Sequence, residues 1–196
     1  LDSDDLLHPR AMETQFEYLR GSPNAVACMG SRWFQHETGR TLRESYVPYD
    51  SLFPQILFHN FGPPHAWLTP RELVVQAGGF PEDILVLEDW HLWVRIALLQ
   101  PAFIPVPFIG AYWRRHRTSQ TSCTQDRERA MSKNLMAIQA AKAVVADKEV
   151  LKAYGNSFLY RCLQLTLSAR QLGVGWTELS ELTASTLTLL DVCRNS

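Results

Sequence analysis

The sequence predicts an α/β domain followed by an all-helical tail, and three features carry that expectation. Ala25 to Phe34 and the stretch from Ala102 to Trp113 are apolar enough to be buried strands. Between them, Glu88 to Leu99 has the pattern of a helix that is apolar on nearly every side. After Thr118 the composition turns polar and then helical to the end of the chain. The boundary falls near residue 124, so that residues 1–123 form the α/β part and 124–196 the tail. A chain of 196 residues can bury one substantial core, or a core with a helical appendage.

In order along the chain, Pro9 leads into a helical pattern with Met12, Phe16 and Leu19 on one face, ended by Gly21-Ser22-Pro23. The strand from Ala25 to Phe34 enters a polar hairpin at Glu37-Thr38-Gly39-Arg40. Tyr49 to Phe61 suggests a short helix stopped by Gly62-Pro63-Pro64, and His65 to Leu68 a short strand. Pro70 stands where a helix starts and Gly78-Gly79 where it stops. A turn follows at Phe80-Pro81-Glu82-Asp83. On the helix from Glu88, the residues Glu88, His91 and Arg95 form one polar stripe.

Pro101, Pro105 and Pro107 exclude a membrane helix over Ile96 to Trp113 and predict two short strands instead, Ala102 to Val106 and Phe108 to Trp113, joined by a turn. Ser119 to Gln125 reads as a loop. The tail carries helical apolar spacings at Met131, Leu135, Ile138 and Val145, at Leu151, Tyr154, Phe158, Cys162 and Leu165, and at Leu179, Leu182, Thr186 and Leu189.

With 46% apolar and 20% charged residues the composition is that of a globular protein. Nineteen Lys and Arg against 20 Asp and Glu give no field of one sign for a nucleic acid or an acidic membrane. The four cysteines form no C-x-x-C pair, which predicts free thiols in a reducing compartment. No signal peptide and no transmembrane segment are recognisable. The chain opens on Leu1-Asp2-Ser3-Asp4-Asp5 without a methionine, so a preceding segment is expected, and with it a weakly anchored Leu1 to Asp5.

Three clusters could carry chemistry. Asp2, Asp4 and Asp5 crowd carboxylates that either cap the following helix or hold a divalent cation together with a substrate diphosphate. Glu88-Asp89 places two acids at the mouth of an apolar helix, as an N-cap or as a general base. Trp113-Arg114-Arg115-His116-Arg117 is either a solvated basic turn or a site for a diphosphate and a metal ion.

Taken in order, LDSDD, RELVVQAGGFPED, EDWHLWVRIAL and AYWRRHRTSQT resemble the successive motifs of family 2 glycosyltransferases over residues 1 to about 121. The resemblance implies an incomplete GT-A fold, a three-layer nucleotide-diphospho-sugar transferase sandwich lacking its first strands, with the helical tail outside the resemblance. It implies inverting transfer of a sugar from a nucleotide-sugar donor to a sugar, lipid-linked or protein acceptor, with Mn or Mg as the divalent metal. By motif position Asp2 and Asp4 bind metal and nucleotide-sugar, and His116 completes the metal site. Arg114 and Arg115 contact the diphosphate. Asp89 is the catalytic base with Glu88 as its neighbour, and Gly78, Gly79, Phe80 and Trp90 shape the substrate site. The location implied is cytoplasmic or at the inner face of the membrane. The competing expectation is a non-catalytic scaffold or interaction module built on the same fold.

Overall fold

The computed structural model describes residues 1–82, 87–116, 126–146 and 148–194. Backbone proximity divides the chain into two compact units, Leu1–Pro81 with Asp89–Cys123, and Glu82–Glu88 with Thr124–Ser196.

The first unit is built on five strands: β1 (Leu6–Leu7), β2 (Ala25–Gln35), β3 (Thr41–Ser45), β4 (Trp67–Leu68) and β5 (Ala102–Arg115). The sheet runs β1-β5-β2-β3, with β4 also paired to β2. The pairing of β2 with β5 is parallel along the full length of β2, whereas β1 on β5, and β3 and β4 on β2, are antiparallel. Because parallel strands are covered on both faces, β2 is apolar without alternation, and Ala25 to Met29 are fully buried. The hairpin expected at Glu37 to Arg40 joins β2 to β3.

The chain from Ala102 onward is one strand of 14 residues, not two strands with a turn. Pro105 keeps regular register opposite Cys28, whereas Pro107 is absorbed by irregular pairing: Met29 stands opposite Val106, Gly30 opposite Ile109 and Ser31 opposite Ala111. Pro107 and Phe108 fall into the first of these gaps. Among the described residues, β1 covers the other edge of β5 only at Ala111 and Tyr112, so the missing proline N–H groups cost no ladder bond there.

Helix α1 (Ala11–Leu19) packs against β2 and β5. The face predicted to be buried is not the buried one. Met12 and Phe16 are exposed, and Ala11 and Gln15 face inward, where the Gln15 amide donates to the Ala66 carbonyl at 2.9 Å. A small residue and a satisfied amide permit closer approach to the sheet than two large side chains would. The helix expected over Tyr49 to Phe61 is also absent: Pro54 can begin a turn but not sit inside a helix, and only Gln55–Leu57 forms one 3₁₀ turn. A second 3₁₀ turn, Pro64–Ala66, occupies the start of the strand expected at His65, leaving β4 two residues long.

Helix α2 (Arg71–Gln76) ends at Gly78 and Gly79, both at positive φ, the stop the sequence predicted. Helix α3 (Glu88–Ala97) buries Trp90, Leu92, Trp93, Val94, Ile96 and Ala97, with Trp93 stacked on Trp67 at 4.4 Å. The polar stripe expected on it does not exist as such, because His91 is buried and Arg95 turns to donate to the Gly79 carbonyl at 2.6 Å.

The second unit contains helices α4 (Asp126–Ala146), α5 (Lys148–Gln171) and α6 (Ser180–Arg194). Phe158, Cys162 and Leu165 of α5 and Leu182, Thr186 and Leu189 of α6 are buried, as their spacing predicted, whereas Leu135 and Tyr154 are exposed. Alanines 137, 140 and 141 keep α4 thin where it is buried. Gly155 lets α5 approach α6, since a Cβ there would lie 2.8 Å from the Cys193 sulfur. The ion pairs Arg127–Glu178 and Lys142–Glu181 are exposed and add little. Cys28, Cys162 and Cys193 are free, and Cys123 lies outside the described residues. Among the described residues no helix is long and apolar enough to cross a membrane. Asp83, Arg117 and the loop expected at Ser119 to Gln125 lie outside the described residues.

Candidate functional site

The site begins with strand pairing. Leu6 lies opposite Tyr112 and Leu7 opposite Ala111, so the antiparallel ladder carries the acids that precede β1 alongside the residues that follow Tyr112. Two groups 112 positions apart therefore meet: Nε2 of His116 lies 2.7 Å from Oδ2 of Asp4. With Asp4 ionised, the imidazole N–H donates. This hydrogen bond holds the Asp4 carboxyl below its ordinary range, helped by the charge of Arg114. Both side chains keep solvent access, 41% for Asp4 and 24% for His116. An ionised carboxylate oxygen at the surface suits Mn or Mg, which take few protein ligands and complete their shell with water or phosphate oxygens. The His116 ring joins it only when its Nε2 is deprotonated, the lone pair then replacing the hydrogen bond to Asp4.

Asp2 lies in the exposed turn before Asp5, its carbonyl accepting the Asp5 N–H at 3.2 Å. Among the described residues no third Asp, Glu, His or Cys joins Asp4 and His116 in a metal-binding group. Asp5 has a different position from its neighbours. It is buried, and its Oδ1 accepts the Arg114 backbone N–H at 2.8 Å, so the opening segment is pinned at this point and not weakly held. Oδ2 of Asp5 lies 3.5 Å from Nδ1 of His65, and both side chains are almost wholly buried.

Burial pushes the Asp5 carboxyl up to about 6 and the His65 imidazole down to about 4. The two act on stability with opposite signs. The raised Asp5 contributes stability at low pH that is lost as pH rises through about 6, and the lowered His65 contributes stability above its unfolded value that is lost as pH falls towards about 4. Between these values the two slopes oppose each other. Asp5→Asn keeps the acceptor for Arg114 and removes one slope. Relative to wild type, its unfolding free energy should then fall more steeply on acidification from pH 6 to 4, by at most about 1.4 kcal/mol per pH unit. Urea midpoints at the two pH values check this, and parallel curves would contradict it.

Strand alternation separates the two arginines of the basic cluster. Arg114 stands over the Phe34 ring at 5.9 Å and acts on Asp4, on the side of His116. Arg115 points to the other face, over Trp33 at 5.9 Å and Trp113 at 5.5 Å, with Arg43 also over Trp33. The structure therefore does not bring Arg115 to the Asp4–His116 pair.

Asp89 lies in the first turn of α3 and is buried; its Oδ2 accepts the amide N–H of Asn60 at 3.0 Å. Glu88, the first residue of α3, is half-buried. Trp90 is buried too, and its indole N–H donates to the Ile56 carbonyl at 2.6 Å. This places Trp90 as an anchor of the 55–57 turn and not as a wall facing substrate. The Gly79 carbonyl is held by Arg95 from α3, and Phe80 beside it is half exposed.

Asn60 and His65 were not apparent from sequence, yet they tie the site together. Asn60 touches Asp89 and His65 touches Asp5, and five residues span at most about 18 Å even fully extended. Because Pro64–Ala66 is a 3₁₀ turn, the real separation is smaller. The sequence signal was three polar residues, His59, Asn60 and His65, in the otherwise apolar stretch from Ile56 to Leu68, and nothing in it singles out two of them.

No family model and no curated protein matches the sequence. Among solved structures the chain is similar to the crystal structure of S. aureus TarS 1–349 in complex with UDP-GlcNAc. The TM-score is 0.65 at 13% identity, over 98% of this chain. The chain spans 56% of the length of that solved chain. The fold is thus mixed α/β with a central sheet, followed by C-terminal helices, and corresponds to part of a GT-A-like fold.

Proposed function

We propose that this protein transfers a sugar from a nucleotide-diphospho-sugar to an acceptor hydroxyl with inversion at the anomeric carbon. The observation that carries the reading is the meeting of Asp4 and His116 at 2.7 Å, on a fold shared with a protein solved in complex with a nucleotide-sugar. Asp4 and His116 would hold a divalent Mn or Mg ion, with Asp2 within the same exposed turn as a further carboxylate. When bound, that ion supplies positive charge to the leaving diphosphate. Arg114, on the same side, adds a fixed positive charge that needs no rearrangement as the diphosphate departs.

Asp89 is the base. It takes the proton of the acceptor hydroxyl as that oxygen forms its bond to the anomeric carbon, and the bond from that carbon to the diphosphate oxygen breaks, the electron pair leaving with the diphosphate. Gly78, Gly79 and Phe80 lie on the loop that would face the acceptor, which is a sugar, a lipid-linked molecule or a protein. Arg115 and Trp90 have no part in this scheme, since one faces the opposite side of the sheet and the other is sealed in the core.

The test is to supply the full-length protein with α-linked UDP-sugars, an acceptor panel and Mn, and to follow the anomeric proton by NMR. A β-linked product formed only with metal is expected. An α-linked product, or transfer unaffected by chelation, would contradict the proposal.

A further inference from the structure

We infer that Asn60 is a positioning residue for the base, an inference that rests on the assignment of Asp89 above. The orientation of its amide is settled by its neighbours. Oδ1 of Asn60 accepts the Gly62 backbone N–H at 3.4 Å, which leaves Nδ2 as the atom directed at Oδ2 of Asp89, 3.0 Å away. An amide rotated the other way would set two acceptor oxygens against each other and face a donor with a donor.

The loop that carries Asn60 is itself held at both ends by indoles. Trp90 on α3 donates to the Ile56 carbonyl at 2.6 Å, and Trp67 on β4 donates to the Gly62 carbonyl at 3.3 Å. Ring contacts complete the support: Tyr49 stacks on His59 at 6.3 Å and lies 5.2 Å from Phe61, so both chain neighbours of Asn60 are packed. Trp90 and Asp89 are adjacent on one helix, and the loop they grip is the same one. Asn60 therefore reaches Asp89 from a fixed platform.

A donated N–H fixes the plane of a carboxylate, engages one of its oxygens and favours its ionised form. A general base must meet the acceptor hydroxyl in one geometry, and a carboxylate whose plane is held by a donor satisfies that requirement. The role is that of the third member of a nucleophile–base–orienting group, moved one step back from the reacting atoms.

Two variants of the full-length protein separate these roles. Asn60→Asp is isosteric, keeps the acceptor for the Gly62 N–H, removes the donor and brings a second carboxylate to Asp89. Asn60→Leu removes both polar atoms. In Asn60→Asp, kcat at neutral pH should fall tenfold or more while the KM for donor stays within about twofold, and the acidic limb of the rate profile should move to higher pH by about one unit or more. Activity should recover as pH rises, because the base ionises later.

The titratable groups within two residues of the pair, Glu88 and His91 on α3 and His59 on the loop, are unchanged in both variants. Asn60→Leu should lose kcat without the added charge and so with a smaller shift of the limb. If Asn60→Leu does not fold, Asn60→Asp decides alone. A folded Asn60→Asp with unchanged kcat and an unmoved limb would overturn the inference, as would a loss expressed only as lower melting temperature. If Asp89→Asn turns over normally, the base assignment fails first and the inference with it; if Asp89→Asn is inactive and Asn60→Asp is normal, only the inference fails.

Discussion

Asp89→Asn is expected to slow sugar transfer in the full-length protein by about a hundredfold to ten-thousandfold, the usual cost of losing a general base. In free energy that is about 3–5 kcal/mol of transition-state stabilisation. The substitution keeps the size of the side chain, and its remaining oxygen can still accept the Asn60 N–H, so the fold around α3 should hold. Donor affinity should be unchanged, because the assigned role begins only when the acceptor hydroxyl gives up its proton. Glu88→Gln, made beside it, should retain most of the rate. Near-normal turnover in Asp89→Asn with donor bound as before would transfer the role to Glu88 or to the substrate.

The second large effect is expected at the Asp4–His116 pair. Asp4→Ala and His116→Ala should each weaken Mn binding by at least about tenfold to hundredfold, since even residues that merely support a metal ligand carry effects of that size. The double variant should be little worse than the poorer single one, because two groups in direct contact act on one ion and their effects do not add. Calorimetric titration with Mn in the presence of UDP measures this. Asp5→Asn should leave Mn affinity nearly intact, as Asp5 is spent on the Arg114 N–H and faces His65 inside the protein.

The sequence disclosed those parts of the fold that depend on local pattern. The unbroken apolar run of β2, the buried face of α3 and the Gly78-Gly79 stop were all visible because burial and positive φ impose residue types directly. β5 is one strand and not two because Pro105 keeps its register opposite Cys28 and Pro107 falls where the pairing with β2 is irregular, neither of which a local pattern encodes. The face of α1 was misread for a similar reason, since the inward position of Gln15 is justified only by the Ala66 carbonyl waiting for it.

For the candidate site the acids and His116 were legible as types, but their meeting came from the pairing of β1 with β5, which no local pattern encodes. The division of labour among the three acids, with Asp4 outward and Asp5 inward, was equally hidden. Parity along β5 could have separated Arg114 from Arg115, because adjacent strand residues face opposite sides, had the strand been recognised as continuous to Arg115. Asn60 and His65 sit in a segment without regular periodicity, so only the folded contacts reveal them.

The central claim, that Asp4 and His116 hold a cation against a nucleotide diphosphate, is tested most directly by the electron paramagnetic resonance signal of Mn. Titrating Mn into the full-length protein should convert the free-ion spectrum to a bound one, and adding UDP should both tighten binding and change the spectrum. The Asp4→Ala, His116→Ala double variant, at equal concentration and still folded, should leave the free-ion spectrum in place. A bound signal of the same strength and the same response to UDP in that variant would place the metal elsewhere and contradict the account.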